Sequence, residues 1–308
     1  MTRLSLVLLL AGVPSLLGAA SPLAGRWDLT VTPKNGRPYP DWLELAETGG
    51  KTTLRIQPRA GGARTISDFQ VSGSHLHLVF SKADEKNAEV TWDVDASGDR
   101  LTGRITRGGA ASAEVAGVRA PKLDRKPPAA WSAPESLFNG KDLTGWEPMT
   151  ANNNHWTVQD GDLLNTAGGT NLKSSRSFED FKLHFEVNCP DDGNSGIYLR
   201  GRYELQIEYQ AVDANDPLHS IGSIYSFVGP KVMMPRKPGT WETFDVTLVG
   251  RRITVVRDGV KTIDNQEIPG PTGGALDSNE GDPGPFYIQG DHTGGLRYRN
   301  MTIQVPKH

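Results

Sequence analysis

Asn194-Ser195-Gly196-Ile197-Tyr198-Leu199-Arg200-Gly201-Arg202-Tyr203-Glu204-Leu205-Gln206-Ile207-Glu208 alternates apolar and polar side chains with period two, the pattern of a half-buried β-strand. Read as one strand, it puts Tyr198, Arg200, Arg202, Glu204, Gln206 and Glu208 on one face. Ile197, Leu199, Tyr203, Leu205 and Ile207 fall on the other, where they suit a core between two sheets. The polar line mixes an aromatic ring, two guanidiniums, two carboxylates and an amide. Sugars are bound by such a mixture, rings meeting the sugar face and bidentate groups meeting vicinal hydroxyls. A solvated strand laced with cross-strand Arg–Glu pairs would carry the same residues.

The spacing of the two carboxylates limits the chemistry. Glu204 and Glu208 lie four residues apart, which on a flat strand separates their Cα atoms by roughly 13 Å. A retaining glycosidase holds its paired carboxyl groups about 5 Å apart, so only a strongly concave sheet would make these two a catalytic pair.

Outward from this stretch the strand pattern continues. Toward the C-terminus and around the decisive segment, residues 156–158, 181–187, 223–227, 243–249, 252–256 and 296–305 alternate, with turns at Asp160-Gly161, Asp258-Gly259 and Gly273-Gly274. Residues 23–123 show shorter runs, at 26–31, 42–45, 53–56, 75–80, 89–94 and 101–105. Lys34-Asn35-Gly36, Ala60-Gly61-Gly62 and Ser97-Gly98-Asp99 separate them, as expected of an up-and-down meander closing into a small barrel. Gly25 and Trp27 resemble the Gly-X-Trp opening of lipocalin-like barrels, a feature equally expected of a core tryptophan in any meander. Between the two regions, residues 121–134 hold Pro127-Pro128 and several charges and read as a Pro-rich linker holding two domains apart. The expected organisation is therefore a β-barrel-like domain over residues 21–120, that linker, and a larger all-β domain over 135–308. With 35 glycines, 21 prolines and no long helical periodicity, all-β is the fold class.

Residues 1–20 read as a secretory signal peptide: Arg3, an apolar run over residues 4–13, then Gly18, Ala19 and Ala20. That run is shorter than the roughly 20 apolar residues of a spanning helix, so an exported, periplasmic or secreted protein without a membrane span is expected. A formal net charge of −3 and the lack of a long basic run argue against a nucleic-acid partner. No feature points to a particular oligomeric state. Cys189 is the sole cysteine, which excludes an intrachain disulfide, and its turn-like neighbours Asn188, Pro190 and Asp191 do not suggest a nucleophile. His75 and His77 share a strand face and suit either a metal or, more simply, a polar surface.

Four motifs in order carry a specific resemblance. They are Ser136-Leu137-Phe138-Asn139-Gly140-Lys141-Asp142-Leu143-Thr144-Gly145-Trp146, Asn194 to Gly201, Tyr203-Glu204-Leu205-Gln206-Ile207, and Gly284-Pro285 through Gln289-Gly290-Asp291-His292 to Tyr298-Arg299-Asn300. Together they resemble the 3-keto-disaccharide hydrolase family over residues 135–305. The resemblance implies a concanavalin A-like jelly-roll sandwich whose concave sheet forms a sugar cleft. It also implies action on 3-keto-glycosides: a ketone at C3 acidifies the C2 proton, a base removes it, the C1 group leaves, and water adds back.

On the matching positions, Glu204 is the expected base. Arg200 or a bound divalent cation would stabilise the enolate oxygen, and His292 would protonate the leaving oxygen. Tyr198 would stack on the sugar, Gln206 would orient a hydroxyl or ligate the metal, and Arg299 would pair with Glu204 or Glu208. Glu208, Gln289 and, at the cleft edge, Tyr225 complete the expected substrate-binding set, with residues 219–225 as the next strand. Glu208-Tyr209-Gln210 departs from the aspartate and asparagine found there in many relatives, which puts a metal in that turn in question. A non-catalytic, lectin-like carbohydrate-binding protein is the alternative, since one fold hosts both functions.

Overall fold

The computed structural model describes residues 21–80, 88–210 and 216–307, so the expected signal peptide lies outside the described residues. All regular elements among them are strands, and no helix is long and apolar enough to cross a membrane.

Nine antiparallel strands between Gly25 and Arg119 form one sheet. Its first strand, Gly25–Pro33, pairs with both the second, Tyr39–Thr48, and the last, Ala110–Arg119. This closure of chain ends curls the sheet nearly into a barrel, as the meander pattern predicts. Alternate residues, among them Leu29, Val31, Leu43, Leu45, Leu54, Ile56, Leu76, Leu78 and Val94, point into a common core. Trp27 is fully buried there, donating its indole N–H to Leu23 O at 2.8 Å, with the Arg119 guanidinium 4.0 Å over its ring. His75 and His77 pair with Asp95 and Asp93 on the neighbouring strand, so their polar-surface reading holds.

Two further sheets, one of eight strands and one of five, stack into a sandwich. Their facing sides bury Phe181, Phe185, Phe244, Phe286, Ile197, Leu205 and Ile207, with Phe185 and Phe244 stacked at 5.1 Å. Stacked aromatic and branched side chains of this size are what seal the two sheets together. The all-β jelly-roll expectation is met.

Three details differ from the sequence reading. Residues 194–208 are a hairpin of Asn194–Leu199 and Tyr203–Glu208. The turn is Arg200-Gly201-Arg202, with Arg200 and Gly201 at φ 53° and 68°. A loop of three residues preserves parity, so Tyr198 faces Glu204 and Gly196 faces Gln206 in register, and the polar and apolar faces survive the fold-back. Residues 219–227 form turns with isolated bridges of Ile224 to Leu205 and Val228: Gly222 and Tyr225 donate to Gln206 O and Glu204 O, but local bonds such as Ser223 N–H to Ser220 O turn the chain between them. Residues 121–134 are no spacer. Arg125 pairs with Glu179 and Asp180, and Trp131 bridges to Pro306, which straps the segment along the sandwich while the two β units touch directly.

Candidate active site

The concave face of the five-stranded sheet carries a cleft of about 440 Å³, within the range of small-ligand sites. The hairpin supplies its floor with Asn194, Tyr198, Glu204, Gln206 and Glu208. Gln289, Asp291 and His292 close one flank, Tyr225 the other, and Gly273-Gly274 the top.

Glu204 is the most buried acid of the cleft, 5 % exposed. Its backbone N–H donates to Thr272 Oγ1 at 3.0 Å, and its carbonyl accepts from Tyr225 N–H at 3.0 Å, which fixes the strand at that point. Burial pushes its carboxyl up to about 8, partly offset by the Tyr198 hydroxyl and the His292 charge. A carboxylate of this kind is a stronger base than a solvated one. Gly196 makes room for it: a Cβ there would lie 2.5 Å from Glu204 Oε1. Gly196→Ala is therefore expected to reduce kcat at least about tenfold through displaced geometry while leaving the unfolding midpoint close to that of the parent, a split read by kinetics beside a thermal melt.

His292 Nδ1 lies 2.9 Å from Asp291 Oδ1. That hydrogen bond, helped by the charges of Glu204 and Glu208, raises the imidazole above its ordinary value. His292 and Glu204 thus place an imidazole and a buried carboxyl on one cleft. In Asp291→Asn the imidazole loses this support, and Glu204 loses an acidic neighbour that raises it. Both changes lower pKa values, so the pH optimum should move down, with a smaller maximal rate, in a kcat/KM profile.

Glu208 stands further along the same strand, half-buried and raised by desolvation, and accepts from Gln206 Nε2. Gln206 Oε1 and Gln289 Oε1 are buried without a protein partner. Buried acceptors of this kind call for a donor, and sugar hydroxyls are donors.

Several expected residues sit elsewhere. Arg200 is buried in the hairpin turn, donating from Nη2 to Gly250 O at 2.6 Å and Tyr203 Oη at 3.2 Å, so it is outside the cleft and cannot reach an enolate oxygen there. The turn that inverts the chain also turns this side chain away. Arg299 pairs with Glu186 at 2.7 Å and covers Trp241 at 3.8 Å on the eight-stranded sheet, so it does not pair with Glu204 or Glu208. Tyr198 is 2 % exposed, one ring face stacked on Tyr287 at 3.9 Å, with its hydroxyl donated to Gly273 O at 2.7 Å. It lines the cleft without offering a sugar platform. Tyr225 is half-buried with its ring edge-on to His219. Cys189 is buried, its thiol pushed up to about 12, which makes it inert.

Among the described residues no group of three or more His, Cys, Asp or Glu side chains is disposed to hold a metal ion. Glu204 and Glu208 are separated along one strand and Asp291 is engaged by His292, so the donors do not fit the divalent cation expected as an alternative to Arg200. Asn194, Gln210, Asp291, Gly273-Gly274, Ala60 and Gly61 join the expected residues along the cleft. Asn194 and Asp291 lie within the motifs quoted above; Gln210, Ala60 and Gly61 had no such signal.

The 3-keto-alpha-glucoside-1,2-lyase-like domain matches residues 133–304, more than half of the chain. The chain belongs to this family. Membership makes the chain carbohydrate-active and glycoside hydrolase-like. No curated protein matches it. Among solved structures, a provisionally assigned glycosyl hydrolase of Parabacteroides distasonis is similar at 24% identity and TM-score 0.47, over 59% of this chain and 93% of that one. The carbohydrate-binding module CBM66 of Bacillus subtilis is similar at 18% identity and TM-score 0.35, over 52% of this chain and 96% of that one.

Proposed function

We propose that this protein is an exported enzyme cleaving 3-keto-glycosides by elimination and rehydration. The observation that carries the reading is the most buried carboxyl of the cleft, Glu204, raised to about 8 and sharing that cleft with His292, whose imidazole Asp291 raises, with the second carboxylate displaced along the strand. Glu204 takes the C2 proton, whose acidity the neighbouring C3 ketone supplies. The electron pair forms the C1–C2 double bond of the enone as the C1–O bond breaks, and His292 gives its proton to the departing oxygen. Water then returns hydroxide to C1 and a proton to C2, giving net hydrolysis. The free acceptors Gln206 Oε1 and Gln289 Oε1 take hydrogen bonds from the ring hydroxyls and so hold the sugar. The apolar run over residues 4–13 behind Arg3, read as a signal peptide, supports export.

The test incubates the mature protein with a 3-keto-disaccharide and with its unoxidised parent, in heavy water. Release of monosaccharide from the keto form alone, with solvent deuterium appearing at C2, is expected. Equal cleavage of the parent would point to an ordinary glycosidase, and binding of both without turnover would point to a lectin-like protein.

A further inference from the structure

The cleft is not walled by the sandwich alone. Ala60 and Gly61 line it too, from the loop between strands Lys51–Gln57 and Arg64–Ile66 of the nine-stranded sheet. This loop is clamped from both sides. Gly274 N–H donates to Arg59 O at 2.8 Å on one side, and Ala63 N–H donates to Ser226 Oγ at 2.8 Å on the other. Gln57 holds the loop's own curve, donating from Nε2 to Pro58 O and Gly61 O, both at 2.8 Å. The approach leaves no room for a side chain at Gly62, where a Cβ would lie 2.7 Å from Ser226 Oγ and 3.1 Å from His219 Nε2. Behind the loop, Trp42 is fully buried and meets Phe227 edge-on at 5.4 Å, so the contact is a packed interface.

The same contacts place the loop along the cleft. Gly273 and Gly274 accept the hydroxyls of Tyr198 and Tyr287, and Tyr198 is opposite Glu204 in register. Ser226 follows Tyr225, which is bonded to Glu204 O. The loop therefore spans from Gly274 to Ser226, beside Tyr225, at the Glu204 end. The residues described at the other end, Asn194, Glu208 and Gln210, all belong to the sandwich.

We infer that residues 58–63 are the end wall of the sugar site and restrict it to a terminal keto sugar, with the leaving group extending along Gln206, Glu208 and Gln210. A further sugar on the far side of the keto ring would run into the backbone of Ala60 and Gly61. The nine-stranded unit is thus a specificity-determining part of the site. The inference rests on the proposed reaction for which group lies at Glu204.

The test uses the full mature chain and two 3-keto trisaccharides of equal size, one extended on the leaving-group side and one on the keto-sugar side. The parent should show kcat/KM at least about 100-fold lower for the second. Gly62→Val, which pushes the loop off Ser226, should narrow that ratio at least about tenfold with little change for the first. Similar kcat/KM for both in the parent, or an unchanged ratio in Gly62→Val, would overturn the wall. Calorimetric titration of the same glycosides reads the wall without chemistry: selective binding of the first sustains it even where neither is cleaved, a result that would count against the reaction alone, and equal binding of both overturns it.

Discussion

Replacing Glu204 with glutamine is expected to abolish turnover and, above about pH 5, to make the folded protein more stable. A positioned general base contributes about 10²–10⁴-fold, so kcat should fall by that factor. Stability moves the other way because the carboxyl is buried at about 8 when folded and returns to its ordinary 4.5 when unfolded. Below 4.5 it is protonated in both states. As pH rises from 4.5 to 8 the unfolded chain releases this proton and the folded one keeps it, so the folded state loses ground progressively, until above 8 it carries a buried charge. At about 1.4 kcal/mol per pH unit the full difference is roughly 5 kcal/mol. Glutamine has no such dependence. Denaturant midpoints of parent and variant should therefore diverge between pH 4.5 and 8, and parallel curves would show that Glu204 is not held neutral.

Glu280→Ala should cause the largest loss of stability of any change considered. Glu280 is 1 % exposed, pairs with the equally buried Arg251, and accepts the Tyr203 hydroxyl at 2.6 Å. Removing one partner of a buried pair strands the other, at a cost of about 3–5 kcal/mol. The effect reaches the nine-stranded unit, because Asp28 on strand Gly25–Pro33 is pushed up to about 10 by burial and by the Glu280 carboxylate, and so stays neutral beside it. Urea unfolding should show a lower midpoint with an unchanged slope. Arg299→Ala, which breaks a solvent-facing pair with Glu186, should by contrast cost only about 0–1 kcal/mol.

Much of the site could be read from the chain because a strand's side-chain period is two and does not depend on its neighbours. Glu204, Gln206 and Glu208 share a face in the structure for that reason. Gly196 and Gly201 are both isolated glycines in the run, each able to mark a bulge or fold-back; only Gly201 turns the chain, and its turn decides where Arg200 goes. Arg299 and Tyr198 illustrate another limit: period two assigns a face, but not whether that face meets solvent, a second ring or a substrate.

The sequence by itself determined the all-β class, the family over the C-terminal half and that Glu204, Gln206 and Glu208 share one face, since each depends on local alternation or on contiguous motifs. Tertiary structure alone decided that residues 194–208 fold back as a hairpin, how deeply Glu204 is buried, that Asp291 raises His292, and that Ala60 and Gly61 stand across the cleft from a unit more than a hundred residues upstream. Desolvation and long-range packing depend on which surfaces meet, and no local pattern records that.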